Sequence, residues 1–111
     1  MTQLSTVPHG IVIVGTVKGF RSVTRQGAQF PNNEIGVDIQ TPDGWGGTKT
    51  ETIVVRVSKN LVDAGVPKLT ESLKEKVCLI PVYITAWTGK TGAGVNYNLS
   101  NNMPMAELSE F

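Results

Sequence analysis

Three observations predict an all-β domain. Runs rich in β-branched residues are too short for most helices, dense clusters of Gly, Pro, Asn and Asp separate them, and only one segment has helical spacing. A chain of 111 residues is one domain, long enough to remove roughly 60–70% of its unfolded surface from water and so to hold a single core. Its 40% hydrophobic and 17% charged residues, with 12 glycines, are those of a folded chain.

The first strand is "GIVIVGTVKGF" (10–20), interrupted by Gly15 and Gly19, which suits a long strand bent by a bulge. After "RSVTRQGAQ" comes "FPNNEIGVDIQ", in which Ile35, Val37 and Ile39 alternate with Glu34, Gly36, Asp38 and Gln40, the period of a half-buried strand. Pro31 cannot donate to a ladder, so this strand begins at an edge or irregularly. "TPDGWGGTK" (41–49) is a loop, and "TETIVVRVS" (50–58) returns as the third strand of a hairpin with a long glycine-rich tip. In "NLVDAGVPKLTESLKEK" (60–76) Pro67 opens a short helix, Thr70 is a candidate cap, and Leu69 and Leu73 stand four apart. "VCLIPVYITAW" (77–87) is a buried strand that "TGKTGAG" joins to "VNYNLS" in a second glycine-rich hairpin. The expected architecture is a small five-stranded OB-like barrel with long hairpin wings and one short helix between strands 3 and 4. The open face of such barrels binds nucleic acid or sugar in many families. Residues 1–100 are expected to form this domain, and 101–111 a flexible acidic C-terminal tail.

The net charge of +1 is unevenly placed. Ten Lys and Arg against seven acids give residues 1–100 a charge of +3, while Glu107 and Glu110 give the last eleven residues −2. Cys78 is the single cysteine, so an intramolecular disulfide is excluded. It sits in the apolar run "VCLIPVYI", where a buried small hydrophobe in a reducing, cytoplasmic compartment is expected. Neither a secretory signal pattern nor an apolar stretch near 18 residues is present, and no membrane association is expected.

Catalytic chemistry lacks parts. His9 is the only histidine, so neither a Ser-His-Asp arrangement nor a His-based metal site can be assembled, and no enzyme activity, metal or cofactor is expected. Gly89-Lys90-Thr91 matches the end of a phosphate-loop pattern, but the required earlier glycine falls at Ile84 and no helix follows.

The cations form a more informative set. Lys18, Arg21 and Arg25 fall within eight residues without an intervening acid, and a turn at Gln26-Gly27 would hold the Arg25 guanidinium outward, where it can meet phosphate oxygens. Arg56, between Val55 and Val57, points to the opposite face from theirs. Lys90 projects from a hairpin tip in a stretch, 76–106, that holds no acid. Phe30 follows Arg25 closely, and Trp45 stands on a glycine-rich tip. Rings beside cations suit single-stranded nucleic acid, whose bases stack while its backbone follows the positive charge. The competing reading of these cations is a solvated surface, and that of each ring is ordinary packing.

At these residues the chain resembles the gene V single-stranded-DNA-binding proteins of filamentous bacteriophages. Their hairpin wing carries a run close to V-S-R-Q-G-x-x-Y-x-x-N-E, and "VTRQGAQFPNNE" (23–34) matches it with Thr for Ser and Phe for Tyr. "IVVRVS" (53–58) is similar to a later strand with a lysine at the position of Arg56, and "AWTGKTGAGVNYNLS" (86–100) to the hairpin at the dimer dyad. The resemblance implies a five-stranded OB-type barrel, a homodimer that coats single-stranded phage genomes cooperatively in the host cytoplasm, and no metal or cofactor. It implies that Arg25 contacts phosphate, Phe30 stacks a base, Arg56 lines the groove and Arg21 serves as the first wing arginine. The family's dyad hairpin carries an aromatic that "TGKTGAG" lacks, so Lys90 would substitute by charge, or Trp87 would approach from the hairpin base. In "MPMAELSEF", Glu107, Glu110 and Phe111 resemble the acidic, Phe-terminated tails with which cellular single-strand-binding proteins recruit partners. The expected function is therefore non-catalytic, weakly sequence-specific binding of single-stranded DNA during replication of a phage or replicative element. The alternative is an OB-type protein-interaction or replication-accessory module that does not touch DNA.

Overall fold

The computed structural model describes residues 10–24, 26, 27, 29–101 and 103–108. β1 (Ile11–Val23) starts as a plain alternation, with Ile13 and Val17 turned into the core. Between Val17 and Gly19 its register against β2 (Asn32–Pro42) shifts by one residue. That bulge decides the rest of the strand: the extra residue, Lys18, resets the alternation, so Phe20 packs on the core and Arg21 faces outward. Gly15 is required for a different reason, because a Cβ there would lie 2.6 Å from the carbonyl oxygen of Asp38 and 2.7 Å from Cγ1 of Val37. The two strands cross too closely for any side chain.

From Ile35 on, β2 alternates as its sequence predicts, with Ile35 and Val37 fully buried, but Glu34, expected on the polar side, is buried as well. It pairs antiparallel with β3 (Thr48–Arg56) from Glu34↔Arg56 to Pro42↔Thr48. β4 (Val77–Gly89) and β5 (Gly92–Leu99) form the second long hairpin, from Val82↔Leu99 to Gly89↔Gly92. A short parallel join of β3 to β5 (Val55↔Tyr97, Arg56↔Asn98) and an antiparallel join of β1 to β4 close the ring in the order β1-β2-β3-β5-β4-β1. The result is the expected five-stranded OB-like barrel. Its core gathers Ile13, Val17, Ile35, Val37, Val55, Ile80, Val82 and Leu99, with Cys78 buried among them as predicted. Of the described helices, none is long and apolar enough to cross a membrane.

Two expectations are corrected. The β3–β4 connection holds two short helices, not one: α1 (Lys59–Asp63) and α2 (Val66–Ser72). Ser58 caps α1, and Gly65, at φ 100°, turns the chain into α2. Thr70 is not a cap but a buried interior residue whose hydroxyl donates to the Val66 carbonyl at 2.8 Å. Leu73 reaches the core while Leu69 stays partly in solvent, 38% exposed. The second correction concerns the stretch after residue 100. Met105 is buried in the core, and β6 (Ala106–Glu107) pairs with β4 through Cys78↔Glu107 and Leu79↔Ala106. This part of the expected free tail is a strap on the barrel, held by an apolar side chain that a charge count does not weigh.

Candidate nucleic-acid interface

Residues paired directly across a sheet point to the same face. Following the registers from β1 to β4 gives one continuous outward row, Arg21–Glu34–Arg56–Asn98–Tyr83. Four strand spacings make this row about 19 Å long. Arg56 is exposed and its neighbours Val55 and Val57 are buried, as the alternation predicts. Arg21 Nε donates to Glu34 Oε1 at 2.8 Å, with 60% of the Arg21 side chain exposed and only 5% of Glu34. The buried carboxylate anchors a cation whose remaining guanidinium donors are free to meet a ligand.

Two shallow clefts flank the row. On the β1 side, Lys18, Arg21 and Lys74 of the α2–β4 turn line one together with the acids Glu34 and Glu71. The stem of Lys18 crosses Gly36, where an added Cβ would sit 3.4 Å from the Lys18 Cβ. On the β5 side a cleft of ≈ 240 Å³ is lined by Pro31, Asn32, Arg56, Lys59, Tyr83 and Asn98, among others. Phe30, adjoining this cleft at the base of the wing, is 73% exposed and takes no part in the core.

The other predicted residues lie elsewhere. Trp45 is 93% exposed on the β2–β3 tip, which Asp43 orders by accepting the N–H groups of Trp45 at 2.7 Å and Gly47 at 3.1 Å. From Glu34 to Pro42, β2 carries the chain on the order of 27 Å away from the row, so Trp45 and Phe30 mark opposite ends of one strand. Lys90 is exposed in the turn between β4 and β5. Arg25, Glu110 and Phe111 lie outside the described residues. Glu107 is committed to the barrel, pairing in β6 and bridging to Lys76 at 3.6 Å. Sequence reasoning missed Lys59, Lys74, Tyr83 and Asn98. Tyr83 could have been noticed as an aromatic at an outward position of β4; the others enter only through strand pairing and the helix path.

A closed OB-type barrel with a cation row on one outer face and an unpacked ring at its edge defines the class. Within it, the family model described as Putative Gamma DNA binding protein, of the gene V type that the wing motif resembles, matches residues 7–109, and the chain belongs to that family. It is 34% identical over 101 residues to a DNA-binding protein of the same type from Enterobacteria phage I2-2, a match that covers 91% of this chain and 93% of the phage protein.

Proposed function

We propose that this protein binds single-stranded DNA without catalysis and with weak sequence preference, coating the DNA of a phage or replicative element during replication in the host cytoplasm. The observation that carries this reading is the Arg21–Glu34–Arg56–Asn98–Tyr83 row, which sets two guanidiniums on one accessible face beside the unpacked ring of Phe30. In this mechanism Lys18, Arg21 and Arg56 follow the phosphates, Arg25 and Lys90 add charge from the wing and the β4–β5 turn, and Phe30 stacks a base. Membership of a family whose described relatives are DNA-binding proteins supports the ligand class.

The active form is a homodimer that assembles cooperatively on the strand. Support comes from the inner face of the β4–β5 hairpin, where Ile84, Val95 and Tyr97 continue the core side of the barrel outward, with Ile84 and Val95 exposed. Gel filtration with and without poly(dT) tests both claims. The dimer is expected alone and much larger complexes with the polymer; an elution volume unmoved by poly(dT) at low salt contradicts the reading.

A further inference from the structure

We propose that Lys74, on the connection from β3 to β4, joins the bulge residue Lys18 in a phosphate subsite over the paired glycines Gly19 and Gly36, one step off the cation row. The inference rests on the function proposed above and extends it: an element outside the barrel strands carries part of the contact with the single strand.

The α2–β4 turn is fastened to β1 beside the bulge. Glu75 N–H donates to the Val17 carbonyl at 2.8 Å, and Val17 N–H donates to the Lys76 carbonyl at 3.1 Å. Glu75 itself stands at φ 67°, in the left-handed region, and is the one non-glycine residue there among the described residues. Such a conformation persists where its surroundings over-determine it, so the turn is held in one seating on β1. Lys74 immediately precedes it. Its stem lies along Gly19, where an added Cβ would be 3.7 Å from Lys74 Cε. The stem of Lys18 crosses Gly36, and Gly19 and Gly36 are register partners on the outer face. Two lysines therefore converge on one bare stretch of backbone.

Both lysines are exposed, and neither is in an ion pair among the described residues. Of the two acids lining this cleft, Glu34 is held by Arg21, which leaves Glu71 alone against Lys18 and Lys74. Like charges brought together over a floor without side chains favour an anion between them. Gly36 follows Glu34 on the same face of β2, so the floor lies about 7 Å from the row. Arg21 lines both the cleft and the row. A strand held by Arg21 can thus set a neighbouring phosphate between the two ammonium groups.

In the full-length protein, Lys74→Ala is expected to weaken binding of oligothymidylate and oligodeoxyadenylate alike, severalfold at low salt, and to make the salt slope shallower by about 0.7. Lys68→Ala removes an equal charge from an exposed position of α2 outside the cleft, and is expected to leave affinity and slope as in the parent. Both lysines are solvent-facing, so both variants should keep the parent's urea midpoint. A slope that Lys74→Ala leaves unchanged, or that Lys68→Ala alters as much, overturns the inference; the DNA-binding function stands as long as the unsubstituted protein retains oligothymidylate on filters. Binding of free thymidine monophosphate that Lys74→Ala abolishes, with the oligonucleotide slope unmoved, overturns it too, by assigning the cleft to a single nucleotide. Absence of retention by the unsubstituted protein removes the function and the inference together.

Discussion

Arg21 and Glu34 show how one pair serves both stability and ligand. An exposed ion pair is worth little, but this carboxylate is buried within the row while the Arg21 guanidinium reaches solvent. Arg21→Ala should therefore lower DNA affinity and also cost about 1 kcal/mol of stability, because a buried acceptor loses a charged donor. Phe30 separates the two effects. Its ring is mostly in water, so Phe30→Ala should leave stability within about 0.5 kcal/mol of wild type while weakening oligothymidylate binding about tenfold. Urea unfolding and filter retention, run on both variants, give the two readings side by side. A large stability loss for Phe30→Ala would assign the ring to the core.

At the scale of elements, the bend and bulge of β1 do the positioning. The crossing at Gly15 holds β1 against β2 at a distance no side chain tolerates, and Gly15→Ala should destabilise the fold by about 2 kcal/mol, the usual cost of overpacking. Calorimetric or urea midpoints check this. The β2–β3 tip is ordered locally beyond the last ladder pair, Pro42↔Thr48, by the Asp43 carboxylate and by the Asp43 N–H, which donates to the Gly47 carbonyl at 3.2 Å. Asp43→Ala should lower the fluorescence anisotropy of Trp45 and leave the affinity for short oligothymidylate unchanged, since a short strand on the row cannot reach the tip. These elements were legible to different degrees. The glycine-interrupted first strand and the alternation of Ile35, Val37 and Ile39 announce themselves, because burial on one face leaves a period-two trace. The helix α1 leaves none, since five residues hold barely more than one turn. Thr70 misled because Thr serves equally as a cap and as an interior residue that bonds back to a carbonyl.

At the scale of the molecule, the site is legible as ingredients and not as an arrangement. Arg21, Arg56 and Phe30 can be picked out from the sequence, but their common row depends on registers that join β1 to β2, β2 to β3 and, in parallel, β3 to β5. The last of these pairs segments about forty residues apart, which no local pattern encodes. Asn98 and Tyr83 enter the row only through that join. The same closure lets a chain of net charge +1 group its cations: Lys18, Arg21 and Lys74 share one cleft with Glu34 and Glu71, and Arg56 and Lys59 line the other with no acid among its lining residues.

That grouping of cations is the central claim, and the salt dependence of oligothymidylate binding tests it most directly. The logarithm of the binding constant should fall linearly with the logarithm of salt concentration, by about 0.7 per phosphate neutralised, and Arg21→Ala and Arg56→Ala should each make the slope shallower by about that amount. Binding whose slope is the same in wild type and both variants would contradict a phosphate track along this row.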